Sequence, residues 1–189
     1  MPTAAIPKRQ VRRLWTFEEM AATLPESNSP TELWDGEIIM SPAPGPSHQE
    51  IVLNFASLLR DFVTAKRSGK VFVSPIDVVL TQHRAVQPDV LFISKGRSAI
   101  IQEVIQGAPD LVAEVVSAGS WKRDRVEKKG LYEQFGIAEY WIIDPEARTI
   151  EVFVLTKKGY ELHSRAESGG TAISKLLPGF AASWLQLIA

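Results

Sequence analysis

Residues 109–145 read PDLVAEVVSAGSWKRDRVEKKGLYEQFGIAEYWIIDP, and this stretch decides the fold. Leu111–Val116 is an apolar, β-branched run of the kind that forms a strand covered on both faces. A helix is predicted over Lys122–Phe135, and a second apolar run follows at Tyr140–Ile143. Strand, helix and strand with short connections make a βαβ unit, so the two strands are expected to be parallel neighbours. One charge, Glu114, stands inside the first strand.

At 100° per residue, Asp124, Lys128, Leu131, Tyr132 and Phe135 share one stripe of the helix. The face that packs on the sheet therefore carries an acid and a lysine, and charges facing a core need partners. Glu114 is three residues below the strand end near Ser117, about 10 Å at strand rise. Lys128 is six residues down the helix from Lys122, about 9 Å at helical rise. The two side chains can thus lie level. Such a pair is structural or catalytic, and the residues alone leave both readings open.

The full chain has 189 residues, 45% hydrophobic and 23% charged, with a net charge of −1. This suits a flexible N-terminal arm over residues 1–13 and one domain over residues 14–189. No apolar run is long enough to span a bilayer. The basic N-terminus lacks the apolar segment of a secretory signal. The absence of cysteine excludes disulfides and thiolate zinc sites, and a reducing cytoplasm is the expected compartment. The near-neutral balance does not mark a nucleic-acid binder as a whole, so any basic surface must be local.

Outward from the central unit, Thr16 and Glu19 form a capping-box pattern for a short helix over Phe17–Thr23. Glu32–Met40 reads as a hairpin about Asp35-Gly36, with Glu37 beside the turn. After the Pro-rich Ser41–Pro46, Ser47 and Glu50 predict a capped helix running to Lys66, with His48 on its apolar stripe. Val71–Leu80 is expected as one strand, with Pro75 at a bulge or edge and Asp77 among apolar residues. Asp89 opens the next apolar run, Val90–Ile93. Lys95–Gln106 is ambiguous between helix and strand. A hairpin at Thr149–Leu155 and Tyr160–His163 follows, then a closing strand and helical turn within Phe180–Ile188. The expected class is α/β, a mixed central sheet flanked by helices with peripheral antiparallel hairpins.

Asp77, Asp89 and Glu114 all sit in or before apolar strands, where an acid needs a partner or a cation. If their strands are adjacent, Asp89 and Glu114 converge near Lys128. Two hard oxygen ligands with open positions suit Mg²⁺ or Mn²⁺ rather than zinc, and such sites hydrolyse phosphate esters. Arg123, Arg125, Lys129 and Lys122 offer a basic helix face for phosphate backbone, or equally a solvated face.

Pro88-Asp89, Glu114 in an apolar strand and an associated lysine resemble the PD-(D/E)XK restriction-endonuclease-like superfamily. More closely, the chain resembles its Uma-type family. The matching words are Asp35-Gly36-Glu37, Ser41-Pro42 with His48, Gln87-Pro88-Asp89-Val90, Pro109-Asp110-Leu111, Glu114-Val115, Asp124 with Lys128 and Tyr132, Glu139-Tyr140-Trp141 and Asp144-Pro145. The resemblance implies a restriction-endonuclease-like core and a Mg²⁺- or Mn²⁺-dependent endonuclease acting on nucleic acid, DNA foremost. It implies Asp89 and Glu114 as metal ligands and Lys128 as the catalytic lysine, in place of the position two residues after Glu114, which is Val116. Glu37 matches a further catalytic acid; His48, Asp77, Asp124 and Tyr132 are secondary candidates. A homodimer would pair two sites for two strands. The family pattern has Pro after Ser117, where this chain has Ala118. A catalytically inert nuclease fold that binds nucleic acid or protein is the alternative.

Overall fold

A computed structural model describes residues 13–25, 29–117, 119 and 123–189. The expected arm, Arg13 apart, lies outside the described residues, as do Lys122 and the Ala118 departure. In chain order the elements are α1 (Phe17–Thr23), β1 (Thr31–Trp34), β2 (Glu37–Met40), α2 (Pro46–Lys66), β3 (Gly69–Val73), β4 (Val78–Thr81), β5 (Arg84–Val86) and β6 (Val90–Ser94). A 3-10 turn (Lys95–Ile100) leads to β7 (Ile105–Gln106) and β8 (Leu111–Val115). A π-helical turn (Arg123–Lys128) runs into α3 (Lys129–Gln134), followed by β9 (Glu139–Asp144), β10 (Thr149–Thr156), β11 (Gly159–Glu167), β12 (Thr171–Ile173), β13 (Ala181–Ser183) and α4 (Trp184–Leu187).

The main sheet has the order β11-β10-β9-β8-β6-β3. Within it β8 and β9 are parallel, with Glu114 opposite Ile142, while the other pairs are antiparallel. The βαβ expectation is met, and its crossover is the π turn and α3. A second sheet, β2-β1-β5-β4-β7, is antiparallel except for the β4–β7 pair. The architecture is mixed α/β.

Strand alternation sorts the core. Ala113, Val115, Trp141 and Ile143 face α2 and meet Phe55 and Leu59. Val112, Tyr140 and Ile142 face the other way, toward Leu131 and Tyr132. Phe55 and Leu59 are wholly buried, and each contributes about 1.5–3 kcal/mol of hydrophobic stabilisation. The predicted stripe survives the π turn, because Asp124, Lys128, Leu131 and Tyr132 are all buried.

Two boundaries differ from expectation, and one open segment resolves. Val71–Leu80 is not one strand: β3 belongs to the main sheet and β4 to the second, with the break at Ser74 and Pro75. Proline has no N–H for the ladder, so the chain leaves one sheet there and enters the other. Helix α2 starts at Pro46 with Gly45 as its cap, not at a capping Ser47. Pro fits the first helical position because its missing N–H would be unsatisfied anyway. The ambiguous Lys95–Gln106 segment resolves into the 3-10 turn and the two-residue β7. By contrast, α1 carries the expected capping box, with Glu19 N donating to Thr16 Oγ1 at 3.2 Å and Thr16 N to Glu19 Oε2 at 3.0 Å.

Candidate active site

Strands β6 and β8 are neighbours, so Asp89, just before β6, lies beside the end of β8. Its Oδ2 accepts from Val115 N at 2.8 Å. Glu114 projects to the face that carries the π turn. Lys128 Nζ reaches Glu114 Oε1 at 2.9 Å, so the predicted level pairing is present. Tyr132 Oη donates to the same oxygen at 2.5 Å. Asp124 Oδ1 stands 3.8 Å from Lys128 Nζ, one turn earlier. Tyr140 Oη fixes that turn by donating to the Asp124 carbonyl at 2.9 Å.

A fourth carboxylate completes the group, and the sequence reading missed it. Glu32 Oε1 lies 3.2 Å from Lys128 Nζ, and Glu32 is buried. Gln87 N donates to Glu32 Oε1 at 3.0 Å, and Trp34 Nε1 to Glu32 Oε2 at 3.0 Å. The hairpin thus contributes its acid from Glu32, whereas Glu37 is exposed beside the turn. Trp34 pairs with Glu37 and Glu32 with Ile39, so Glu37 is one strand repeat, about 7 Å, nearer the hairpin tip. The usable signal was the period of two linking Glu32 to the buried side of Trp34.

Asp77 also lies apart from the cleft. Gln87 Nε2 donates to its Oδ1 at 2.9 Å, which accounts for an acid among apolar neighbours. His48, near the start of α2, places Nε2 3.3 Å from Asp89 Oδ2. Its Nδ1 is buried and has no hydrogen-bond partner among the described residues. The expected basic helix face is mostly spoken for. Arg125 bridges Asp144 at 3.0 Å and Glu151 at 2.5 Å, and Lys129 Nζ sits 3.5 Å from the centre of the Phe153 ring. Arg123 donates to Ser41 Oγ at 3.0 Å and lines the cleft.

The electrostatics follow from four carboxylates around one ammonium. Burial alone would lower the Lys128 pKa. Glu114, Glu32, Asp124 and Asp89 outweigh it and hold the amine charged, well above its ordinary range. Burial, with Asp89 and Asp124 nearby, pushes the Glu114 carboxyl well up despite Lys128 and Tyr132. Burial and the Glu114 charge push the Tyr132 phenol up, so it stays a hydrogen-bond donor. For His48, burial is outweighed by the hydrogen bond and charge of Asp89, and its pKa is raised. The surplus of negative charge calls for a proton or a cation.

These groups line a cleft of about 440 Å³, walled by the Ser41–Gly45 loop and by Ser74 and Pro75. The donors Asp89 and Glu114 are hard oxygens opening into the same cleft, which fits Mg²⁺ or Mn²⁺ completed by water or substrate oxygens. Among the described residues, no three His, Cys, Asp or Glu side chains form a ready metal cage. A two-carboxylate site of this kind does not need one.

A comparison with curated proteins finds no match. The crystal structure of a "putative nuclease belonging to DUF820" from Anabaena variabilis ATCC 29413, at 1.96 Å resolution, matches with a TM-score of 0.76 and 21% identity. The match covers 92% of this chain and 97% of that one, and shows a common fold. Residues 16–187 match the Uma2 family model, described as "Putative restriction endonuclease", and the chain belongs to that family.

Proposed function

We propose that the protein is a divalent-metal-dependent nuclease that hydrolyses phosphodiester bonds in nucleic acid, DNA foremost. The observation that carries this reading is the buried Glu114–Lys128 pair, which opens into a cleft shared with Asp89. Asp89 and Glu114 would hold Mg²⁺ or Mn²⁺. When bound, the ion polarises a phosphoryl oxygen and acidifies a water. Lys128, fixed by Glu114, Glu32 and Asp124, would orient the attacking water and offset charge developing on the phosphoryl oxygens. Glu32 takes the part that the resemblance implied for Glu37. Tyr132 orients Glu114, and His48 orients Asp89 from outside the ligand set. A pair of copies would place one site on each strand.

Cleavage of supercoiled plasmid and of single-stranded DNA with Mg²⁺ or Mn²⁺, wild type against Asp89→Ala, tests the reading. Metal-dependent nicking that disappears in the variant is expected. Activity surviving in the variant would overturn the assignment of the site. No cleavage, together with no heat of divalent-cation binding by calorimetry, would leave an inert nuclease fold.

A further inference from the structure

Away from the cleft, the turn between α2 and β3 gathers cations. Lys66 and Arg67 end α2, Lys70 follows on β3, and Lys95 follows β6; all four are exposed. The backbone brings them together. Lys95 N donates to the Ser68 carbonyl at 2.7 Å, Gly69 pairs with Ser94, and Lys70 pairs with Ile93. Gly69 allows the close approach, since a Cβ there would lie 2.1 Å from the Ile93 carbonyl oxygen. Among the described residues, none of the four cations makes an ion pair. Nearby Arg97 is different, because Asp110 holds it at 3.2 Å, and the acid on the adjoining turn, Asp61, faces Arg60.

Two features set this patch apart from an ordinary solvated end. Arg67 has φ 51°, the left-handed position at a helix end where glycine is the default. The chain keeps an arginine where backbone comfort favours no side chain. The helix dipole accounts for cations at Lys66 and Arg67, but not for Lys70 and Lys95, which lie on or beside strands. The patch is also linked to the cleft. Strand β3 is the edge of the main sheet and runs from Gly69 at the patch to Ser74 and Pro75 on the cleft wall. Six residues at strand rise span about 20 Å, close to six base pairs of duplex.

We propose that Lys66, Arg67, Lys70 and Lys95 form a secondary phosphate-backbone site for nucleic acid whose scissile bond lies in the cleft, with the β3 edge between them. The inference rests on the nuclease reading and names the surface that holds a long substrate. It explains how a chain of net charge −1 with an acidic cleft can retain a polyanion.

The test compares wild type with a variant carrying Lys66→Ala, Arg67→Gly, Lys70→Ala and Lys95→Ala. Binding of a labelled duplex, and of its single strand, is followed by fluorescence anisotropy over a range of salt in EDTA, where no cleavage occurs. The variant should bind at least about tenfold more weakly, with a salt slope shallower by about 3.6 on the duplex and about 2.8 on the single strand, as expected for four lost phosphate contacts. With metal restored, cleavage of fragments shorter than about six base pairs should be unchanged, while longer duplexes show a raised KM. The melting temperature should not fall, since Arg67→Gly relieves the left-handed position. Equal affinity and equal slope would overturn the patch while leaving any metal-dependent cleavage intact. Patch-dependent binding without cleavage would support the patch and sink the nuclease reading. A wild type that neither binds nor cleaves any nucleic acid would overturn both.

Discussion

Two glutamates on adjacent parallel strands are equally hidden and differently made. Glu114 on β8 is 2% exposed and Glu139 on β9 is 0% exposed. Glu139 sits on the α2 face of the sheet and is saturated by donors. Its Oε1 accepts from Trp141 Nε1 at 2.8 Å and Ser174 Oγ at 2.6 Å, and its Oε2 from Lys175 N at 2.7 Å and Leu176 N at 2.8 Å. Those bonds pin the segment after β12 against the sheet. Glu114, on the opposite face, shares a single ammonium with Glu32 and Asp124 and opens to a cleft. Burial of an acid therefore does not mark a reactive site. A carboxylate ringed by fixed neutral donors is a fastener, whereas one in surplus negative charge beside open space is left to be balanced by a proton or a cation.

Substitutions can separate the two kinds. The largest effect is expected on catalysis: Asp89→Ala or Glu114→Gln should lower phosphodiester cleavage at least about a hundredfold, measured on plasmid with the fold checked by circular dichroism. Glu139→Gln should leave the activity of the folded fraction unchanged; if it silenced the enzyme as Glu114→Gln does, the contrast would collapse. Stability should show the converse. Glu139→Ala strands four donors and should cost about 3 kcal/mol or more in urea unfolding. Lys128→Met alone leaves buried carboxylates without their cation and should cost about 3–5 kcal/mol, while adding Glu114→Gln should recover part of that loss.

Smaller effects sharpen the boundary of the site. Glu32→Gln should slow cleavage about tenfold, since it removes one charge from Lys128, and Glu37→Gln should do almost nothing. Equal effects would return Glu37 to the site. Asp77 gives the smallest. Burial raises its pKa above the ordinary 3.8, with Gln87 opposing in part. The folded state then holds its proton more tightly than the unfolded chain. That contribution is present below the ordinary value and is lost as pH rises through the raised one. Asp77→Asn should thus match wild type in unfolding free energy, read from urea denaturation, at acid pH and exceed it near neutrality, by less than about 1 kcal/mol because partial exposure screens the charge. A variant less stable at neutral pH would show that the Asp77–Gln87 contact outweighs desolvation.

Much of the site was legible because it is local. The stripe of Asp124, Lys128 and Tyr132 follows from helical period, and the level meeting of Lys128 with Glu114 follows from rise per residue across one βαβ unit. Glu32 was hidden because it arrives from the second sheet. Its role depends on the register of β1 against β2 and on Gln87 N, neither of which a run of four strand residues reveals. The basic helix face stayed open between two readings for the same reason: Asp144 and Glu151, which hold Arg125, come from β9 and β10.

The sequence by itself determined the parallel β8–β9 unit, the burial of Glu114 and the lysine that meets it, since hydrophobic period and short connections act within one stretch of chain. Only the tertiary structure decided which hairpin acid faces that lysine, where the chain passes from one sheet to the other at Pro75, and which cations are already neutralised. Those choices depend on contacts between segments distant in sequence, where strand register and the desolvation of charge set the outcome.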